Sequence, residues 1–503
     1  MTRNFINYVF GIYILSLIVF VDSKGVLLII GGDTSLELGA YNNSDVSTQS
    51  IDRLAINGVL FKRAYTSSVS GGSSSRSEIL TGIPAHQNGM FGPHSLPSYF
   101  RTYDDVVSIS KMLSAEGVAT GIIGLESLGP ESVFGFNYRQ TDSNHDDLSI
   151  SRNISFISSY VKDFLTQHRQ ENFFLVVSLG DAERCRRPEY GQFCEDFGDE
   201  QDPAGSIPGW KPSTYNASSL RLPYYIPDLE DAREDLASLY RSINRLDQGV
   251  GLIMSALVNA GLFATTLTIF TSTGGVGFPG AKYNALDSGS RVPLIIASSG
   301  YSIGQVSDAL VSTLDIAPTI MDYFGLPFPK YSIAGKQVVP TGISLVPLLT
   351  DPTKSGHSYV FSAQNFLQVN QEFPIRAIRN ESYTLIWNKW DTFPIAVEIF
   401  NSLTYTVYNV AAEPRYSDVF QELQVLLKMT MLHVFYTLDI NLLSTLSHVL
   451  MLNIKIHGTL KRPSQRPPKS LATPLRRGPV TWLRANGPYC PQVVTLQVRV
   501  QAF

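Results

Sequence analysis

Short apolar runs punctuate the first part of the chain: VLLII (26–30), TGIIG (120–124), FFLVVSL (173–179), TLTIF (266–270) and VPLIIAS (292–298). These short, β-rich apolar runs are each expected as a buried strand. Between them, residues 104–117 and 228–261 place apolar side chains three and four apart. That spacing predicts helices, the second N-capped by Asp228. Strands alternating with helices predict an α/β fold, a doubly wound, mostly parallel sheet flanked by helices. In such sheets ligands bind beyond the carboxyl ends of the strands. The segments found there are GGDTS (31–35), LESLG (125–129), GDAER (180–184) and TSTGG (271–275). A further stretch, SVSGGSSSRSEILTG (68–82), runs a Ser/Gly-rich turn into a helix-like segment, the layout of an anion site at a helix N-terminus.

The pattern changes at both ends. Arg3 followed by apolar residues 8–21 reads as a signal peptide over 1–23, since a spanning helix wants about 20 apolar residues. No membrane span is expected after its removal. The main domain is expected over 24–355 and a smaller, truncated α+β unit over 356–428, with strand-like FPIRAIR (373–379) and SYTLIW (382–387). Residues 440–503 hold nine Lys/Arg and no acid beyond that expected unit, with a Pro-rich basic stretch over 461–479. A basic, Pro-rich tail (429–503) is expected to be disordered.

Composition and charge add little beyond exclusions. A net charge of −4 gives no reason to expect nucleic acid. In a secreted chain the sequons at Asn42, Asn153, Asn216 and Asn380 read as glycosylated surface loops. Cys185 and Cys194 bracket a short polar loop and are expected to pair, which leaves Cys490 over.

GAYNNS (39–44), GVATGIIG (117–124), GPESVFGF (129–136), CRRPEYGQFCEDFG (185–198), RLDQGVGLI (245–253) and STLDIAPTIMDYFGLPFPKY (312–331) occur in the order and spacing of the sulfatases. The chain resembles that family from about residue 25 to 428, and within it the branch that acts on N-sulfated glucosamine of heparan sulfate. The resemblance implies an alkaline-phosphatase-like fold, the Cys185–Cys194 disulfide and a homodimer; for an inactive chain, a heterodimer with an intact paralogue through the same surface is the further expectation. The resemblance also implies a lysosomal or extracellular destination and a sulfated glycan such as heparan sulfate as partner.

Sulfatase chemistry uses a cysteine in C-x-P-S-R, oxidised to formylglycine, whose hydrate attacks sulfur. Calcium neutralises the sulfate, while Lys and His stabilise charge and protonate the leaving group. On this chain the nucleophile position is Gly72 and the motif proline is Ser74. The calcium positions are Gly32, Asp33, Thr273 and Gly274, of which Asp33 alone is acidic. The basic positions are Leu125, Ser127 and Glu183, and what persists is Arg76, with Lys282 where an arginine is usual. Ser73, one position late, is the remaining hydroxyl candidate; a turn of about 100° per residue aims it elsewhere, and a Ser-rich turn capping the helix is the blander reading. Glu126 and Glu183 would repel a sulfate unless they pair with Arg76 or Lys282. The expectation is an inactive homologue with no cofactor. Two alternatives stay open: an active sulfohydrolase using calcium and an unusual nucleophile, and a defective gene product.

Overall fold

The computed structural model describes residues 23–388 apart from 96–97, 145–149, 185–192, 194–206, 208 and 368–371, together with the strands 480–484 and 493–496. The apolar runs form β1 (Gly25–Ile30), β3 (Ala119–Gly124), β5 (Phe173–Ser178), β6 (Thr266–Thr271) and β7 (Arg291–Ala297). Three strands less apparent from the pattern complete the main sheet: β2 (Val59–Tyr65), β4 (Tyr138–Thr141) and β8 (Gln305–Ser312). Their order is β4-β3-β5-β1-β6-β7-β2-β8. β4 through β6 run parallel, β7 is antiparallel to both neighbours, and β2 is parallel to β8.

Successive side chains of β1 feed opposite layers, which is why its run is apolar throughout. Leu27 and Ile29 join a core built on α1 (Gln49–Ile56), α4 (Ile154–Gln167) and the 30-residue α5 (Glu230–Asn259). Val26, Leu28 and Ile30 join the core under α2 (Gly72–Thr81), α3 (Ile109–Ala115) and α6 (Ile316–Phe324). Each such fully buried side chain contributes about 1.5–3 kcal/mol.

Two helix boundaries differ from expectation. The helix anticipated over 104–117 begins only at Ile109, where the Ser108 side chain accepts the Lys111 N–H. Asp228 does not cap α5; that position is Leu229, with no side-chain cap, and Asp228 pairs with Arg233 at 2.6 Å.

The smaller unit is an antiparallel sheet of β11 (Val360–Phe366), β12 (Glu372–Arg379), β13 (Tyr383–Asn388), β14 (Val480–Arg484) and β15 (Val493–Leu496); a two-residue hairpin pair, β9 (Ser332–Ile333) and β10 (Lys336–Gln337), precedes it. β14 and β15 lie in the tail expected to be disordered, in its two short β-branched and aromatic stretches. β11 also fastens the Ser/Gly turn: Val69 N–H donates to Ala363 O at 3.0 Å, Ala363 N–H to Ser67 O at 2.7 Å, and Asn365 N–H to Ser70 Oγ at 3.1 Å. Arg379 of β12 binds Asp287 at 2.5 Å and lies over the Tyr65 ring at 4.2 Å. The small sheet therefore holds the turn that feeds α2 from behind.

The signal segment, Cys185, Cys194 and Cys490 lie outside the described residues; the flanking Arg184 and Phe193 form an antiparallel bridge. Asn42 and Asn216 are exposed and Asn380 is half-buried. Asn153 is fully buried, and its side chain accepts the Phe156 N–H at the start of α4. Among the described residues no helix is long and apolar enough to cross a membrane.

Candidate active site

The segments predicted to carry chemistry meet at the carboxyl ends of β1, β3, β5 and β6, with the N-terminus of α2 among them. That helix starts after Gly71, whose φ of 100° is open only to glycine and whose missing Cβ admits the Tyr283 ring at 3.1 Å. No side chain caps the helix, so the Ser-rich turn does not act as the cap expected of it.

Instead the guanidinium of Arg76 lies back across the first turn. A Cβ at Gly72 would stand 2.5 Å from Arg76 Nη1. The arginine is held there from two sides. Its Nε donates to Ser178 Oγ at the end of β5 (3.1 Å), and Nη2 pairs with Glu183 Oε1 at 2.6 Å. A cation beside a helix N-terminus is unfavourable by itself, and Glu183 supplies the compensating charge. The guanidinium thus lies against Gly72, where the resemblance leads one to expect the nucleophile, and Glu183, expected to match a histidine, carries the carboxylate that holds it.

Every charged side chain of GDAER has such a partner. Asp181 pairs with Arg245 of α5, and Arg184 grips Asp235 with both terminal nitrogens at 2.9 and 2.8 Å. Arg152 donates to the Glu183 carbonyl at 2.6 Å; burial lowers its pKa to about 10. Asp142, which accepts the Ser151 N–H, is pushed up to about 6, chiefly by burial and further by the charge of Glu183.

At the end of β1, Asp33 is 2% exposed. Its Oδ1 accepts Thr273 Oγ1 at 3.2 Å, and Lys282 Nζ stands 2.6 Å from Oδ2. Thr273 N–H donates to Gly32 O at 2.8 Å, and the single Thr273 hydroxyl hydrogen is shared between Gly32 O (3.0 Å) and Asp33 Oδ1. Gly32 has a φ of 53°, and a Cβ there would meet Leu179 O at 3.0 Å and Glu183 Cγ at 3.2 Å. Gly274 is roomier: a Cβ there would meet only Gly289 O, at 3.4 Å. A calcium ion asks for about six to eight oxygens, several of them anionic. Of the four positions, one offers a carboxylate, and an ammonium already sits on it. These residues do not fit calcium. Among the described residues no group of three or more His, Cys, Asp or Glu could hold a metal ion.

After β3, the Leu125 N–H donates to Ser178 O at 2.8 Å, and Ser127 takes a φ of 45°. Ser127 Oγ meets Ser73 Oγ at 2.9 Å, and Ser73 Oγ accepts the His94 main-chain N–H at 3.0 Å. His94 thus reaches Ser73 through its backbone, and its Nδ1 bonds Phe100 O. Ser74 Oγ donates to Gly92 O at 3.3 Å. Glu126 pairs with neither candidate cation. It binds Arg139 and accepts Thr141 Oγ1 at 3.0 Å. Arg139, Ser178, Asp142 and Arg152 stand outside the motifs that mark the site in the sequence. Buried charge demands a partner, but nothing in the motif spacing says which one.

Known proteins share this fold. The Sulfatase family model matches residues 24–326. Human N-sulphoglucosamine sulphohydrolase is 40% identical over 390 residues, 76% of this chain and 77% of its own length. Human arylsulfatase A is 26% identical over 366 residues, covering 67% and 69%. A solved protein in complex with its substrate D-glucosamine-2-N,6-O-disulfate superposes with a TM-score of 0.56 at 16% identity, over 81% of this chain and 98% of that one, a likeness of fold. With a family match over more than half its length and a relative at 40% identity over three quarters of it, the chain belongs to the sulfatase family.

Proposed function

We propose that this chain is a non-hydrolytic member of the sulfatase family, carried through the secretory pathway, with a role that does not depend on cleaving sulfate esters or sulfamates. The observation that carries the reading is the Arg76 guanidinium on the space where a side chain at 72 would begin, fastened by Glu183 and Ser178. Residue 72 itself offers no side-chain nucleophile, and a side chain placed there would have to shift the Arg76 guanidinium.

The same pairing bears on binding. Arg76 and Lys282 are the cations that would greet a sulfate, and each faces a carboxylate of the protein at 2.6 Å. Recognition of heparan sulfate or another sulfated glycan through these two side chains is therefore disfavoured. Ser73 does not rescue hydrolysis either: its hydroxyl bonds a second serine and a backbone N–H, neither of them a base.

The test is turnover by the purified full chain of an N-sulfoglucosaminide and of an aryl sulfate. The expected rate equals buffer, with and without calcium. Turnover above buffer that disappears on Ser73→Ala would overturn the reading.

A further inference from the structure

We infer that Lys282, at a position where the family usually has an arginine, is a tethered counter-ion that balances Asp33 without a divalent cation, so that the folded chain is stable without calcium. The inference deepens the reading of the site as non-hydrolytic, but it stands on a different pair of side chains.

Charge decides first. Asp33 is 2% exposed, and a carboxylate so buried needs a positive partner. Gly32, Thr273 and Gly274 contribute no charge, so a divalent ion here would leave one unit of positive charge uncompensated among these four residues. One ammonium balances one carboxylate. The donor count points the same way: Thr273 Oγ1 already bonds Asp33 Oδ1 and Gly32 O, the oxygens a cation would need.

Lys282 is also built to stay. Its side chain is 8% exposed, its own N–H donates to Val276 O at 3.1 Å, and its Nζ lies 5.2 Å from the centre of the Tyr283 ring, within cation–π range. Tyr283 holds that ring with a φ of 64°, a costly backbone for a bulky residue. An exposed lysine bridge would be worth little. One enclosed by an aromatic face and a backbone-anchored turn acts as a fixed component of the site.

Thermal unfolding of the full chain, without and with millimolar calcium chloride or EDTA, tests this together with Lys282→Met, Asp33→Asn and the double variant. Wild type is expected to keep its Tm in all three buffers. Each single variant should lose about 5 °C or more, because each strands a buried partner, and the neutral double variant should recover at least half of that loss. A wild-type Tm raised by calcium, or single losses that simply add in the double variant, would overturn the inference. If either single variant fails to fold, the calcium response of wild type and the stability of the double variant relative to it still decide. Failure here leaves the turnover test untouched: a calcium-stabilised but inert chain sinks this inference alone.

Discussion

Replacing Gly72 with alanine isolates the contact on which the functional reading rests. The new methyl would lie 2.5 Å from Arg76 Nη1 and 3.3 Å from Cζ, where ordinary contact begins near 3.4 Å. The guanidinium must retreat by about 1 Å, and its side chain, 3% exposed, has no solvent to retreat into. Retreat stretches the 3.1 Å bond to Ser178 and the 2.6 Å pair with Glu183. Breaking a buried pair outright costs about 3–5 kcal/mol. Glu183 keeps 17% side-chain exposure, so water recovers part of this. Alanine in place of glycine in a helix returns up to about 1 kcal/mol. The net expectation is a loss of about 2–3 kcal/mol, read as a lower urea midpoint by tryptophan fluorescence. Arg76→Met supplies the control: in that background Gly72→Ala should cost nothing or stabilise slightly. Equal losses in both backgrounds would show that the guanidinium is not what fills the nucleophile position.

Gly32 and Gly274, the two glycines at the expected calcium positions, should respond differently. Gly274→Ala is expected to stay within about 0.5 kcal/mol of wild type, since its Cβ meets only Gly289 O at 3.4 Å. Gly32→Ala should cost about 1–2 kcal/mol or more at φ 53°, and equal midpoints for the two would refute the distinction. Glu78 on α2 is pushed up to about 8 by burial, against hydrogen bonds from Ala85 N–H and Ser67 Oγ. Between pH 4.5 and 8 the unfolded chain ionises this carboxyl while the folded chain keeps it protonated. Stability from this group is therefore intact below that window, falls by about 1.4 kcal/mol per pH unit through it, and levels off above. Glu78→Gln keeps the acceptor for Ala85 and removes the titration, so its advantage over wild type should grow from pH 5 to pH 8; a pH-independent difference would be the contrary result.

How much of this the chain discloses in advance depends on what each residue's neighbours must be. β1, β3, β5 and β6 are legible because both faces are buried, and an uninterrupted apolar run has few other uses. β2 is not: Lys62 and Arg63 fall inside it, where the register shifts between Phe61 and Ala64. β8 begins with exposed Gln305 and Val306, as an edge strand does. The antiparallel direction of β7 leaves no mark on its composition. At the site, motif spacing locates Gly72, Arg76, Asp33, Glu183 and Lys282 in one region. It does not assign pairs: Glu126 and Glu183 are equivalent as letters, yet Glu126, after β3, meets Arg139 from β4 and Glu183, after β5, meets Arg76 from α2.

These pairings also bear on how the proposed non-hydrolytic site leaves the core undisturbed. A metal-dependent site is an arrangement of like charges held apart by an ion and a substrate. Removing the ligands singly would leave buried charges without partners, each costing several kcal/mol. Here the substitutions compensate one another. Glu183 gives Arg76 a fixed anion, and Lys282 gives Asp33 a fixed cation. Gly72 leaves the space that the first pair needs, and Gly32 leaves room beside Glu183. Arg76 with Glu183 and Asp33 with Lys282 are matched pairs within hydrogen-bonding distance, above the apolar layers of the sheet. Such matching makes these four side chains part of the folded structure, as the proposed non-hydrolytic role requires.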